Sequence, residues 1–192
     1  MERIASASPR FKARIAGAFY VLTIVLGVFA LFFAGPLTAI GQAADNMGAA
    51  SYVVVSVLFY FMFRPVNRGL SLLAALISVT GSAIGALSNF HLVPDINSFI
   101  FFGIYCVLIG YLILKSTFLP RILGVLMALG GLGYLTFLWP PLETHLTSFV
   151  AFVGLLAEGS LTVWLLVVGV DDRRWREQAG AAPPGPQSTP AT

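Results

Sequence analysis

The chain has 192 residues, of which 58% are hydrophobic and only 10% are charged, and its mean hydropathy is +0.90. Soluble domains carry about 25% charged residues, so this composition excludes an ordinary soluble protein and indicates an integral membrane protein whose length suits one domain. The formal net charge is only +3, and we expect the lipid bilayer, not nucleic acid, as the partner of this chain.

Six apolar runs are candidates for membrane-spanning helices, which need about 20 mostly apolar residues, with about 17 as the lower limit. The runs are residues 15–34, 48–63, 69–90, 98–114, 122–139 and 146–170. The second run is short and can be extended through Met47. Because the runs are continuous and do not alternate with polar residues, they favour helices over barrel strands. We therefore predict an all-α polytopic membrane bundle with six transmembrane helices.

Turn-forming residues separate several of the predicted helices. The segment "RPVNRG" (64–69) places proline and glycine between the second and third helices, and "KSTFLPR" (115–121) separates the fourth from the fifth. The segment "WPPLETH" (139–145) has adjacent prolines and an interfacial tryptophan before the sixth helix. The two remaining connections are predicted at 35–46 and 91–97.

All eleven basic residues fall on one side of this predicted bundle. They are Arg3, Arg10, Lys12, Arg14, Arg64, Arg68, Lys115, Arg121, Arg173, Arg174 and Arg176. The connections on the opposite side carry Asp45, Asp95 and Glu143 instead. By the positive-inside rule, we predict a multi-pass protein of the cell (inner, cytoplasmic) membrane with both termini in the cytoplasm.

Three regions follow from this assignment. Residues 1–14 are predicted to be a basic cytoplasmic N-terminus, residues 15–170 the transmembrane domain, and residues 171–192 a charged cytoplasmic segment followed by a tail. The first apolar run is longer than the core of a cleavable signal peptide, which has about 7–15 residues, so we expect it to be retained. The final stretch "AGAAPPGPQSTPAT" has no charge and no large apolar side chain, which predicts a disordered tail.

The segment "FFGIYCVLIGYLILKSTFLPRILGVLMALGGLGYL" (101–135) resembles the domain-of-unknown-function family 4386, a family of bacterial multi-pass membrane proteins. The resemblance extends to "RIAGAFYVL", to "RPVNRGLSLLAAL" and to "AEGSLTVWLLVVGV", and so covers most of residues 14–170. Its most specific part is the motif in which Lys115 and Ser116 are followed by "LPRILGV" (119–125). The resemblance implies a membrane-embedded helical fold and brings no assigned activity and no catalytic residue.

Glu158 is an acid inside the sixth apolar run. Residues three and four positions apart share one face of a helix, and this face consists of Ala151, Gly154, Glu158, Leu161, Thr162 and Leu165. The neighbours Gly154, Ala157 and Gly159 are small, so another helix can approach closely there. An ionisable group at mid-membrane costs about 2.5–3.5 kcal/mol on insertion scales. We therefore expect Glu158 to face the bundle and not the lipid.

Hydroxyl groups on other helices are the candidate partners of Glu158. They are Thr23, Ser56, Ser78, Thr80, Ser82 and Tyr105. The candidate polar site therefore consists of Glu158 and Thr162 with Tyr105, Ser56 and Thr23. Two interpretations remain open: a protonated glutamate that joins helices by hydrogen bonds, or a site for a proton, a cation or a substrate.

Other candidate sites have weaker support. His91, His145, Asp95 and Glu143 offer nitrogen and oxygen ligands at the external ends, but the pair four residues apart, His91 and Asp95, lies in the predicted connection 91–97 and not on a helix. We expect no metal site and no cofactor. Since no serine, histidine and acid converge at one membrane depth, we predict no catalytic residue and no enzymatic activity.

Glycines are predicted to mark close helix contacts instead of a phosphate-binding loop. They are Gly81 and Gly85 in the third helix, and Gly130, Gly131 and Gly133 in the fifth.

The first functional prediction is a non-enzymatic helix bundle of unassigned activity with a packing or partner role. One alternative is a small transporter linked to protons or cations through Glu158, which would require a homodimer to build its path. A membrane-embedded enzyme acting on lipid or quinone is the second alternative. Packing predicts a closed centre with Glu158 bonded to one or two neighbours. A carrier predicts a polar cavity and converging hydroxyls, and an enzyme predicts a second titratable group, Tyr105 or another tyrosine, beside Glu158.

Overall fold

The structure is a computed structural model that describes residues 8–35, 38–93 and 97–180, with the backbone alone described at positions 31, 140, 143 and 144. The regular secondary structure of these residues is helical throughout, as predicted. The helices are α1 (Pro9–Phe29, continued by a π-helical turn, Ala30–Ala34), α2 (Ala39–Phe63), α3 (Arg68–Asn89), α4 (Phe99–Lys115), α5 (Arg121–Leu135, followed by a 3-10 turn, Thr136–Leu138), α6 (Pro140–Val167) and α7 (Asp172–Gln178).

Five segments are long and apolar enough to cross a membrane. They are Pro9–Ala34, Ala39–Phe63, Arg68–Asn89, Arg121–Leu138 and His145–Val167. The remaining predicted span corresponds to α4, an apolar helix of 17 residues that is one residue shorter than the shortest of these five segments. The chain is therefore an apolar helical bundle of the kind that integral membrane proteins form.

Several helices begin earlier than predicted because side chains cap their first turns. Ser8 accepts a hydrogen bond from the backbone N–H of Phe11, so α1 already begins at Pro9 and residues 10–14 are helical. Thr38 accepts from the backbone N–H of Gly41, so most of the predicted connection 35–46 belongs to α2.

The sixth helix also differs from its prediction at both ends. It begins at Pro140 because proline suits the first helical turn, where its missing N–H needs no partner. Most of the predicted connection 139–145 is therefore helix. It ends at Val167, shortly before Gly169, which has a positive φ of 75°. By contrast, the predicted connections after α2 and after α4 are confirmed as short non-helical segments.

The six long helices form a closed ring in chain order. Each packs mainly against its neighbours in the sequence, and α6 returns to pack against α1. Large side chains fill the middle of this ring: Tyr20 of α1, Tyr52 of α2 and Tyr105 of α4 are at most 5% exposed. The rings of Tyr52 and Tyr105 meet at a centroid distance of 5.5 Å. The centre of the ring is thus built from aromatic side chains that carry hydroxyl groups.

The short helix α7 ties helix ends together at one end of the bundle. Trp175 Nε1 donates a 2.8 Å hydrogen bond to the Met62 carbonyl oxygen at the end of α2. Gln178 Nε2 donates to the Lys115 carbonyl oxygen at the end of α4, over 3.2 Å. Since α7 also follows α6 directly, the ends of three helices meet here.

The beginning of α1 lies at this same end, where the Arg10 backbone N–H donates to an Asp172 carboxylate oxygen over 2.8 Å. The basic residues of the described chain are therefore gathered there, and we call it the basic end. At the opposite end, Asn89 of α3 donates to side-chain oxygens of Asp45 (2.9 Å) and Asn46 (3.0 Å) of α2. Arg3, Asp95, the Glu143 side chain and residues 181–192 of the predicted tail lie outside the described residues.

Candidate functional site

Glu158 points into the helix ring and not toward the lipid-facing surface. It lies near the middle of α6 and is only 9% exposed. Thr162, one turn later on the same face, is 2% exposed, and Leu161 and Leu165 are fully buried. This confirms the predicted face from Gly154 to Leu165, whereas Ala151, also predicted to lie on it, is exposed.

Tyr134 of α5 is the hydrogen-bond donor to Glu158 among the described residues, and its hydroxyl lies 3.4 Å from Glu158 Oε1. O–H···O bonds usually span about 2.5–3.0 Å, so this contact is long and weak. Gly154, one turn before Glu158, makes the contact feasible, because a Cβ atom at this position would overlap the Tyr134 hydroxyl.

The small residues around Glu158 have different roles. Gly154 and Ala157 face α5, where a Cβ atom added at Gly130 would lie 3.2 Å from the Ala157 Cβ atom. Gly159 does not serve close packing as predicted, because no atom lies within 4 Å of the Cβ position there. The reason is helical rotation: one residue after Glu158 turns the backbone by about 100°, onto the outer face.

Three further tyrosines, Tyr20, Tyr52 and Tyr105, lie near Glu158 and Tyr134. The Tyr20 hydroxyl lies close to the Glu158 carboxyl group, and the Tyr20 ring meets the Tyr52 ring edge-on at 5.6 Å. Tyr105 continues this series on the other side of Tyr52. Together with Tyr134 and Glu158, these residues form what we call the tyrosine centre, to which α1, α2, α4, α5 and α6 all contribute.

Most hydroxyls of the tyrosine centre make no hydrogen bond of regular geometry with the described residues, although the hydroxyls of Tyr20 and Tyr105 lie near Glu158 and Ser56. This holds for Tyr20, Tyr52, Tyr105 and also for Thr162. A buried polar group without a partner costs about 1–3 kcal/mol, and such groups are rare in native proteins. Four of them near one carboxyl group are therefore an unusual concentration of unused hydrogen-bonding capacity.

Two predicted site residues lie elsewhere. Thr23 donates to the carbonyl oxygens of Phe19 (3.0 Å) and Gly48 (3.3 Å), so it joins α1 to α2. Ser56 donates to the Tyr52 carbonyl oxygen (2.9 Å), and its hydroxyl lies 2.6 Å from that of Ser78 in α3. Ser56 also lies near the Tyr105 hydroxyl, so it borders the tyrosine centre without reaching Glu158.

Thr80 and Ser82, two further candidate partners of Glu158, are not part of the tyrosine centre. Thr80 is exposed on the outer surface of the bundle, and Ser82 is only half-buried. Sequence reasoning placed them by depth alone, whereas the rotation of α3 about its axis decides which side chains face inward.

Sequence reasoning named Tyr105 but missed Tyr20, Tyr52 and Tyr134. The positions of two of these tyrosines in the sequence were a signal that could have identified them. Tyrosine in membrane proteins is enriched at the membrane interfaces, where its hydroxyl can reach water. Tyr20 and Tyr52 lie well inside their apolar runs, and such positions indicate a hydroxyl with a role in the interior.

Of the four candidate metal ligands, only His91 and His145 have side chains that the structure describes. Among the described residues, no group of three histidine, cysteine, aspartate or glutamate side chains is close enough to hold a metal ion. His91 is exposed and adopts a positive φ of 55° just after α3, and His145 is exposed on α6.

Comparisons with known proteins place the chain in a family. Residues 96–169 match the family described as "Domain of unknown function (DUF4386)", a segment that includes α4 to α6 and therefore Tyr105, Tyr134 and Glu158. An uncharacterized protein of the archaeon Archaeoglobus fulgidus is 30% identical, over 61% of this chain and 76% of its own length. Because this relative is archaeal, it does not bear on the bacterial origin that the resemblance implied. No solved structure matches the chain significantly. Together, the family match and this relative show that the chain belongs to the DUF4386 family.

Proposed function

We propose that the tyrosine centre takes up and releases a proton or a small cation at Glu158, and that the protein is a proton- or cation-linked membrane transporter. The observation that carries this proposal is the set of buried hydroxyls on Tyr20, Tyr52, Tyr105 and Thr162 around one carboxyl group that make no hydrogen bond of regular geometry with the described residues. Ionisable groups inside membranes commonly mark ion or proton pathways.

The closed packing of the centre restricts what it can bind. The tyrosines and Glu158 are at most 9% exposed, so an organic substrate would have to displace several side chains. A proton needs no additional space, and a dehydrated monovalent cation needs little. Divalent cations such as Ca²⁺ take about 6–8 oxygen ligands, usually including several carboxylates, whereas this centre offers one.

The proposed arrangement in the membrane has six spans with both termini in the cytoplasm. Helix α4 has 17 residues and rises about 25 Å, near the lower limit for a crossing. It begins beside α3, where a Cβ atom at Gly81 would lie 2.7 Å from Phe101, and ends beside α7 at the basic end. This path along most of α3 supports a sixth crossing, and the positive-inside rule supports a cytoplasmic basic end.

A transport path requires a second copy of the chain in this proposal, because six spans leave little room for two gates around one closed centre. The lipid bilayer is the surrounding partner. The proposal assigns no catalytic step to Tyr134 and Glu158, although they meet the condition of a second titratable group beside the acid.

Packing is the second candidate function. It is favoured by the closed centre and by the bond from Tyr134, which joins α5 to α6. Against it stands the length of that bond, because the polar contacts that join helices effectively are shorter and better satisfied.

Infrared difference spectroscopy of the purified protein in lipid vesicles separates the two functions. We expect a carboxyl band that changes between about pH 5 and about pH 9 and is absent from Glu158→Gln. Repeating the titration in sodium and potassium salts tests whether a cation competes with the proton. Packing would be the better account if the band stayed constant in all conditions and Glu158→Gln unfolded at the same temperature as the parent protein.

A further inference from the structure

The outer face of α6 carries a concave apolar groove that the tyrosine centre does not use. It is lined by Phe152, Leu155, Leu156, Gly159, Ser160 and Val163. The groove has a volume of about 550 Å³, within the range of sites that bind small molecules. At Gly159, which lines the groove, no atom lies within 4 Å of the Cβ position, so the missing side chain leaves open space.

The groove continues into a polar cleft at the basic end. Trp164 and Val168 line both the groove and the cleft, so the two are contiguous. The cleft is lined by Arg10 of α1 and by Arg173 and Arg174 of α7. The apolar groove along the membrane-spanning part of α6 thus leads to arginines just beyond the end of that helix.

The charge balance of the cleft is positive. Asp171 and Asp172 also line it, but Asp172 accepts a hydrogen bond from the backbone N–H of Arg10, which leaves the Arg10 guanidinium group outside that contact. Arg174 pairs with Asp171 over 3.5 Å and Arg173 pairs with Glu177 over 2.9 Å, and about half or more of each of these side chains is exposed. Exposed ion pairs contribute little, about 0–1 kcal/mol, so a phosphate group can compete for these arginines.

We propose that the groove and the cleft together bind one anionic phospholipid. An acyl chain lies along α6 over Gly159, and the phosphate contacts the guanidinium groups of Arg10 and Arg173. Every outward face of a membrane protein touches lipid. This face differs because it is concave and because one end of the groove meets a cleft lined by three arginines and two aspartates. Charge complementarity selects a lipid headgroup with a net negative charge over a zwitterionic one.

Tryptophan fluorescence tests this site on the full-length protein in phosphatidylcholine vesicles. Phosphatidylglycerol with brominated acyl chains is the probe, because bromine quenches a tryptophan in contact with it. We expect brominated phosphatidylglycerol to quench more strongly than brominated phosphatidylcholine at equal concentration. Trp164→Phe removes this difference if it arises in the groove.

Matched variants separate the site from general effects. Replacing Arg10 and Arg173 by glutamine should lower the preference for phosphatidylglycerol by about fivefold for each arginine. Replacing Arg68 and Arg121 by glutamine removes the same charge at the same end but outside the cleft, and should leave the preference unchanged. Gly159→Leu should reduce quenching by filling the groove, whereas Gly27→Leu, which also meets no atom within 4 Å at its Cβ position, should not.

The proposal is overturned if both brominated lipids quench equally, or if the control variants lose as much preference as the site variants. It is also overturned if brominated phosphatidylglycerol quenches the fluorescence of Gly159→Leu as strongly as that of the parent protein. Native mass spectrometry of each variant, released from vesicles with equal amounts of the two lipids, shows whether the protein is intact and which lipid it retains.

Discussion

At the scale of single residues, the contact between Tyr134 and Glu158 depends on one missing side chain. Gly154 leaves the space through which the Tyr134 hydroxyl reaches the carboxyl group. The Tyr134 ring is itself held by aromatic neighbours: it stacks on Phe99 at 5.7 Å and meets Phe102 edge-on at 5.0 Å. The hydroxyl therefore has little freedom to move aside.

We expect Gly154→Ala to destabilise the protein by about 1–3 kcal/mol, because the added methyl group overlaps Tyr134 in a tightly packed interior. Gly159→Ala on the same helix is the matched control. It places the same methyl group in open space and should be neutral or slightly stabilising, since alanine favours helix over glycine. Thermal unfolding in detergent measures both. Equal melting temperatures for the two variants would show that Tyr134 does not depend on this space.

At the scale of helices, the contact between α4 and α5 depends on direct backbone approach. A Cβ atom at Gly131 would lie 2.7 Å from both the Gly103 carbonyl oxygen and the Val107 backbone nitrogen, and one at Gly110 would lie equally close to α5 backbone. This confirms the predicted role of Gly131 in close packing. Because the obstructing atoms are backbone, the helices can make room only by moving apart.

Gly131→Ala should consequently cost more than Gly27→Ala, which adds the same methyl group to α1 where no neighbour lies within 4 Å. We expect a loss of about 1–3 kcal/mol at Gly131 and almost none at Gly27. The free energies of unfolding of the two variants can be compared in mixed micelles that contain an increasing fraction of a denaturing detergent. If Gly131→Ala retained the stability of Gly27→Ala, the α4–α5 contact would have to be looser than the structure shows.

At the scale of the whole molecule, the closed ring and the position of α7 connect topology to the site. Because α7 bonds to the ends of α2 and α4 and to the start of α1, these helix ends lie at one level. With α4 as a crossing, Gly69 and Ala179 lie on one side of the membrane and Leu92 on the other. With five crossings, Gly69 and Ala179 would lie on opposite sides.

Single cysteine substitutions at Leu92, Gly69 and Ala179, all exposed positions, test this arrangement. We expect a membrane-impermeant maleimide to label Leu92→Cys in intact cells and to label the other two only after permeabilisation. The native Cys106 is buried and serves as the unreactive background. If Ala179→Cys but not Gly69→Cys were labelled in intact cells, the two positions would lie on opposite sides of the membrane. The chain would then cross the membrane five times, and the prediction of six crossings would be wrong.

Several properties of this protein are determined by its sequence alone. Hydropathy and charge are local, so the apolar helices, the sidedness of the basic residues and the inward face of Glu158 could be predicted without a fold. Helix starts were less predictable, because Ser8 and Thr38 cap helices through geometry that composition does not reveal.

Only the tertiary structure decided which groups meet Glu158. Depth in the membrane favoured Thr23 and Ser56, but contact also depends on how each helix is rotated and which helices are neighbours in the ring. Those properties arise from packing between segments distant in the chain, and they bring Tyr134 and Tyr20 to the carboxyl group and direct Thr23 to the α1–α2 contact.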